Sequence, residues 1–117
     1  MILEDGIFLQ TMDTWKDFIL AEDITAGNAA ELYFEEENMD AFCRHLESSY
    51  ITYVHDLHEH AWGQRMIRFY DPDGHIIEMG EQMLAVVMRF MHSGLSSEQT
   101  AQRMDVPEAY IRSLMQE

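Results

Sequence analysis

The chain has 117 residues, 47% of them hydrophobic, which is enough for one modest globular domain with a single core. Its 22 acidic residues outnumber its 7 basic residues, and the formal net charge of −15 argues against nucleic acids and anionic membranes as partners. No apolar run approaches the roughly 20 residues of a membrane-spanning helix, and the first residues, MILEDGIF, lack the features of a signal peptide. We therefore expect a cytoplasmic protein. The single cysteine, Cys43, permits no intrachain disulfide, which fits a reducing compartment but does not prove one.

The residues before Ala30 carry weak signals for regular structure. The segment GIFLQTM, residues 6–12, predicts a short strand because most of its side chains are apolar. The next segment, DTWKDFILAEDITAGNA, mixes polar and small residues, which is typical of a connecting loop. We expect one helical turn within that loop.

From Ala30 onward the pattern predicts a strand, a helix and three further strands. AELYFEEE alternates as a strand does, and the apolar residues of NMDAFCRHLESS recur at helical spacing after Asn38, a favourable N-cap. Three strands follow, in SYITYVHDL, QRMIRFY and HIIEM. The DPDG turn at residues 71–74 joins the last two as a hairpin. The predicted order is therefore β-α-β-β-β.

This order, together with WGQRMIRFYDPDGHIIEMGE at residues 62–81, resembles the glyoxalase/bleomycin-resistance/dioxygenase group, the vicinal oxygen chelate superfamily. Its members close a module with a loop containing Trp and Gly, a strand, a DPDG turn and a strand that bears Glu. Here these features are Trp62, Gly63, residues 71–74 and Glu78. The resemblance runs from about residue 6 to residue 81 and implies an α+β fold. In that fold, paired β-α-β-β-β modules form a curved sheet around a ligand cleft, with helices outside.

The resemblance implies two modules, whereas the sequence predicts one complete module preceded by the strand at residues 6–12. We expect a glyoxalase-like domain at residues 1–81 and a helical tail at residues 82–117. The chain is either a naturally reduced form or part of a longer reading frame. A lone module would leave a sheet edge and an apolar face uncovered, so we expect a homodimer that completes the cleft from two copies.

By the resemblance, Glu78 is a metal-binding carboxylate and the candidate catalytic residue. Glu31 stands at the ligand position on the first strand of the module, and Gln10 is the nearest candidate for a third ligand. Such oxygen donors favour Mn²⁺ or Mg²⁺ over Zn²⁺ or Ni²⁺. The alternative needs no metal, because Arg65 or Arg68 on the neighbouring strand could form ion pairs with the two carboxylates.

Other side chains border the predicted cleft. The candidate ligand-contacting residues are Trp62, Arg65 and Arg68. Trp62 either lines the mouth of the cleft or packs over the sheet edge. Three histidines, His55, His58 and His60, lie in a strand connection without a nearby cysteine or fourth histidine, so we expect no structural zinc site there.

The segment after Glu81 is predicted to be helical. QMLAVVMRFMHSG has one apolar face, and two short helices follow. The first begins with a capping box of Ser96 and Gln99, and the second has Pro107 in its first turn. The spacing resembles a helix-turn-helix, but the tail has only three arginines within an acidic chain. We therefore expect it to pack against the sheet or a second subunit rather than bind DNA.

Three functions are compatible with these features. The first is a divalent-metal-dependent, glyoxalase-like lyase or isomerase reaction, or that of a dioxygenase relative, on a small substrate. The second is metal-free binding that sequesters a small molecule in the dimer cleft, as bleomycin-resistance relatives do. The third is a degenerate module kept for protein association. The first two rank nearly equal and above the third.

Overall fold

The computed structural model describes residues 10–21 and 29–116. Its elements in chain order are α1 (Met12–Ile19), β1 (Glu31–Glu36), α2 (Met39–Glu47), β2 (Tyr53–Glu59), β3 (Arg65–Tyr70), β4 (Ile76–Glu81), α3 (Met83–His92), α4 (Ser97–Met104) and α5 (Glu108–Met115). The segment from β1 to β4 has the predicted β-α-β-β-β order, and three helices follow it. The predicted α+β class is confirmed.

The four strands form one mixed sheet in the order β1-β4-β3-β2, in which β1 runs parallel to β4 and the other pairs are antiparallel. The β3–β4 hairpin turns at residues 71–74, where the Asp71 carboxylate accepts hydrogen bonds from the backbone N–H groups of Asp73 and His75. Gly74 has a φ of 84°, a conformation that favours glycine. This local chemistry explains why the sequence predicted the hairpin correctly.

Alternate residues of each strand point to opposite faces of the sheet. On one face, Arg68 of β3 lies opposite Glu78 of β4, and Glu78 lies opposite Tyr33 of β1. We call this the Arg68 face. The other face packs against α2, where Met39 and Leu46 form a core with Ile67. Asn38 caps α2 as predicted, because its side chain accepts a hydrogen bond from the backbone N–H of Ala41.

Helix α1 packs on the Arg68 face, where Trp15 and Ile19 form a buried cluster with Ile76. The expectation of a loop with one helical turn is wrong for Met12–Ile19, which form an eight-residue helix. The predicted strand at residues 6–12 is also wrong at its end, since Met12 begins α1, and residues 6–9 lie outside the described residues. The helix starts there because the Thr11 side chain accepts a hydrogen bond from the backbone N–H of Thr14.

Helices α3, α4 and α5 pack together around a small core of their own, and we call them the C-terminal unit. Its buried residues are Val86, Val87, Ala101, Met104 and Ile111. The predicted capping box is present, with reciprocal hydrogen bonds between Ser96 and Gln99. Within residues 10–21 and 29–116, no helix is both long and apolar enough to cross a membrane.

Candidate functional site

The guanidinium of Arg68 is the centre of a buried polar cluster on the Arg68 face. Its Nε donates to Glu31 Oε2 at 2.7 Å, and its Nη2 donates to Glu78 Oε1 at 2.9 Å. Its Nη1 donates to the backbone oxygen of Phe18 at 2.9 Å and lies 3.2 Å from His55 Nε2. Arg68 is only 1% exposed. The guanidinium is therefore fully engaged by β1, β2, β4 and α1.

One positive charge lies between two carboxylates in this cluster. Burial, together with the hydrogen bond that protonated Glu78 donates to Glu31, raises the pKa of Glu78 to about 8, and the opposing attraction of Arg68 does not offset this. A proton on Glu78 leaves Arg68 and Glu31 as a neutral pair, which is the arrangement that a buried site favours. Glu78 is therefore largely protonated near neutral pH.

His55 completes the cluster as a neutral side chain. Its Nδ1 lies 2.7 Å from the backbone oxygen of Asp56 and donates to it, so Nε2 is the acceptor for Arg68. Burial lowers the pKa of His55, and the positive charge of Arg68 lowers it further. The ring therefore acts as a fixed acceptor for Arg68.

A strip of partly exposed aromatic side chains borders the cluster: Phe18, His60, Trp62 and Tyr33. The rings of His60 and Trp62 stack with centroids 4.1 Å apart, and the Phe18 ring lies 5.9 Å from His60. Gln64 joins the strip to β1, because its Oε1 accepts from Trp62 Nε1 and its Nε2 donates to Tyr33 Oη at 3.2 Å. We call these four rings the aromatic strip.

Gly80 allows Tyr33 to lie close to the sheet. A Cβ at position 80 would lie 2.6 Å from Tyr33 Oη, so only glycine leaves room for the ring in this position. Burial and the charge of Glu35 raise the pKa of Tyr33 to about 12. The phenol therefore stays neutral and keeps both its donor and its acceptor capacity.

A second buried carboxylate, Glu81, lies on the other face of the sheet. Arg65 Nη2 donates to it at 3.0 Å, and so does Arg89 Nη2 of α3. Burial alone would raise the pKa of Glu81, but the hydrogen bonds from Arg89 and Arg65 outweigh that effect and lower it. Arg65 also pairs with Asp40 of α2 at 2.9 Å. This cluster fastens α2 and α3 to the sheet.

The structure brings some of the predicted site residues together and separates others. Glu31 and Glu78 converge, but on Arg68, whose guanidinium supplies the positive charge that a divalent ion would supply. Gln10 is exposed and immediately precedes the N-cap of α1, and Arg65 lies on the opposite face. Among residues 10–21 and 29–116, no group of three His, Cys, Asp or Glu side chains is arranged to hold a metal. In the part of the chain that the structure describes, the two carboxylates therefore form an ion-paired cluster with Arg68 between them.

The sequence pattern did not single out three residues that the structure places at these sites: Gln64, Glu81 and Arg89. Gln64 immediately precedes β3 and Glu81 is the last residue of β4, positions at which a polar residue is unremarkable in sequence. Arg89 is one of three arginines in the helical tail. Only Glu81 could have been found from the sequence, since a carboxylate at the end of a buried strand needs a positively charged partner.

Comparison with known proteins adds one family and one structure. The family model of the glyoxalase-like domain matches residues 3–84. A crystal structure described as a protein of unknown function from Agrobacterium tumefaciens str. C58 is 33% identical. That match covers 69% of this chain and 66% of the other, just under two thirds of it, with a TM-score of 0.43. No protein with a curated description matches. Because the family model covers well over half of the sequence, the chain belongs to the glyoxalase-like domain family.

Proposed function

We propose that this chain is a small-molecule-binding protein that works without a metal. The observation that carries the proposal is the position of the Arg68 guanidinium, within hydrogen-bonding distance of both Glu31 and Glu78. A divalent cation between these carboxylates would have to displace a buried arginine and remove the proton from Glu78. Both steps oppose metal binding.

The aromatic strip is the part of the Arg68 face that offers a ligand contact. Trp62, Tyr33 and Phe18 are 37%, 44% and 43% exposed, so their rings can take part in stacking. The chain is strongly acidic, which attracts cations and repels anions. A planar aromatic cation combines stacking with this charge preference and is the ligand class that we propose.

A second copy of the chain is the proposed partner. Among the described residues, strand β1 is an edge of the sheet, and its Leu32 and Phe34 are exposed large apolar side chains. An exposed apolar edge favours association. A homodimer that covers β1 would also bring a second surface towards the neighbouring Tyr33 and so enclose a ligand on the aromatic strip.

Metal-dependent glyoxalase-like chemistry is the second candidate, and the convergence of Glu31 and Glu78 favours it. In that case Glu78 would act as a ligand and catalytic base, and Arg68 would have to move away from both carboxylates. Calorimetry with Mn²⁺ and Mg²⁺ distinguishes the two functions. Binding at millimolar ion that is lost in Glu78→Gln would favour the metalloenzyme over our proposal.

Binding is tested by titrating the protein with the planar cation ethidium and, for comparison, the planar anion pyrenesulfonate. We expect ethidium to bind more tightly than pyrenesulfonate, and we expect a chelator to leave the affinity for ethidium unchanged. Trp62→Ala should weaken its affinity on the order of tenfold, which is the range for loss of one stacking and cation–π contact. The matched control is Tyr50→Ala, because Tyr50 is fully exposed and lies outside the aromatic strip. Equal affinities in both variants would refute the assigned site.

Sedimentation equilibrium tests the homodimer separately. We expect a dimer at micromolar concentration, and Phe34→Lys should shift it towards monomer because it places a charge at the proposed interface. A well-folded monomer at all concentrations would refute the dimer.

A further inference from the structure

We infer that the C-terminal unit holds the loop at residues 60–64 in its ligand-binding geometry, and that ligand binding and docking of this unit are coupled. The inference rests on the proposed function, since it assigns a means of regulation to the same site. We call residues 60–64 the binding loop, because it carries His60 and Trp62 of the aromatic strip and Gln64, which bonds to Tyr33.

Two arginines of the C-terminal unit bind backbone carbonyls of the binding loop. Arg103 Nη1 of α4 donates to the oxygen of Ala61 at 2.7 Å, and Arg89 Nη2 of α3 donates to the oxygen of Gly63. The same arginines also pair with the Glu59 carboxylate, at 3.2 Å for Arg103 and 3.4 Å for Arg89. Two of the three arginines that follow residue 81 thus bind the connection between β2 and β3.

Phe90 fills the space behind the binding loop. The guanidinium carbons of Arg89 and Arg103 lie 4.9 Å and 5.1 Å from its ring centroid, so both cations flank the ring. Gly63, with a φ of 89°, packs directly against this ring, and a Cβ there would clash with Phe90 Cζ. The hydrogen bonds to two backbone carbonyls, the ion pairs with Glu59 and the packing of Phe90 therefore hold the binding loop on the side of the C-terminal unit.

The binding loop also carries Trp62, the ring that we propose stacks on the ligand. Trp62 Nε1 donates to Gln64 Oε1 at 3.0 Å, and Gln64 Nε2 donates to the backbone oxygen of Glu81 at 2.9 Å. Arg89 binds the side chain of that same Glu81. A displacement of α3 or α4 would therefore change the position of Trp62 in two ways, through the backbone of the binding loop and through the hydrogen bonds of Gln64. Coupling is reciprocal, so a ligand stacked on Trp62 would also strengthen docking of the C-terminal unit.

The test uses the full chain labelled with 5-fluorotryptophan, which gives one fluorine resonance each for Trp15 and Trp62. Trp62→Phe assigns the two resonances. Arg103→Met removes one loop contact while keeping the apolar stem of the side chain. Arg112→Met is the matched control, because Arg112 lies in the same unit and pairs with Glu108 of its own helix. Trp15, a buried residue of α1 that packs with Ile76 of the sheet, reports on the integrity of the fold.

We expect Arg103→Met to shift the Trp62 resonance, to leave that of Trp15 unchanged and to weaken ethidium binding at least about fivefold. Arg112→Met should change neither the resonance nor the affinity. Should Arg103→Met perturb the whole fold, Glu59→Gln provides the second variant, because it removes the carboxylate that both arginines bind. An unchanged Trp62 resonance in both variants would overturn the inference.

The failure of this inference is distinguishable from failure of the proposed function. If Trp62 shifts while ethidium affinity stays at the wild-type value, the loop is held but the coupling is wrong. If the wild-type protein does not bind ethidium at all, the proposed ligand class is wrong. The Trp62 resonance then still decides whether the C-terminal unit positions the loop.

Discussion

Replacing Glu78 by Gln tests whether the Glu78 carboxyl is protonated in the folded protein. Burial and the hydrogen bond with Glu31 raise its pKa to about 8. Gln has the shape of a protonated Glu, so its oxygen can accept from Arg68 and its amide can donate to Glu31. We therefore expect Glu78→Gln to change the free energy of unfolding by less than about 1 kcal/mol at low pH, where Glu78 is protonated in both the folded and the unfolded state. Near neutral pH the variant should be more stable than wild type by on the order of 3 kcal/mol, because Gln needs no proton to fold.

The pH dependence of stability gives a larger and more specific effect. In the unfolded chain Glu78 has the ordinary pKa of 4.5, whereas the folded protein keeps the proton up to about pH 8. Between these values the folded state binds the extra proton, so this group lowers stability by about 1.4 kcal/mol for each unit that pH rises. From about pH 5.5 to about pH 7.5 the contribution is on the order of 3 kcal/mol, and Glu78→Gln lacks it.

Urea denaturation followed by circular dichroism over this pH range measures the difference between wild type and variant. Contributions that both proteins share, including that of His55, cancel in the difference. Glu81→Gln is the control of opposite sign, because arginines lower the pKa of that buried carboxyl. It should cost about 3 to 5 kcal/mol at neutral pH and less as pH falls through the range in which Glu81 protonates. Parallel pH profiles for wild type and Glu78→Gln would refute the assigned protonation.

Four further predictions concern packing, the C-terminal unit and DNA. Gly63→Ala should lower stability more than Gly74→Ala, by about 1 to 3 kcal/mol in thermal denaturation. Both glycines have positive φ, but only at Gly63 does a Cβ meet Phe90, so equal losses would contradict the packing. Thr100→Val should be neutral or stabilising by about 1 kcal/mol, since Thr100 Oγ1 is buried with no hydrogen-bond partner among the described residues. A clear loss of stability on chemical denaturation would show that the hydroxyl is bonded. Deleting residues 82–117 should lower the melting temperature and increase binding of an apolar dye, because it uncovers apolar surface and leaves Glu81 without Arg89. The full-length protein should not retain duplex DNA at physiological salt, and retention in a filter assay would contradict the packing role of the tail.

The elements from residue 30 onward were predictable because their signals are local. The DPDG turn, the Asn38 cap and the Ser96–Gln99 capping box each act within five residues of the chain. Helix α1 was not predictable in the same way. Its Trp15 and Ile19 are buried by packing against Ile76, which is far away in the sequence. Tertiary packing therefore decided a segment whose own pattern was weak.

The candidate site was only partly predictable for a different reason. Pairing of Glu31 and Glu78 with an arginine was one of two alternatives, and strand alternation decides which arginine takes part. Arg65 and Arg68 are three positions apart on β3, so their side chains point to opposite faces. The aromatic strip depends on how the binding loop folds over Gln64, which no short sequence pattern specifies.

Arg68 also affects the order in which the molecule folds. Its partners Phe18 and Glu31 lie 50 and 37 residues away in the chain, and these long loops are entropically costly to close. The β3–β4 hairpin and the C-terminal unit rely on local contacts and should form first. The guanidinium and its carboxylates would then stay hydrated until β1 and α1 dock late in folding. Loss of these contacts should therefore speed unfolding more than it slows folding, so the Arg68 face determines how long the native state persists.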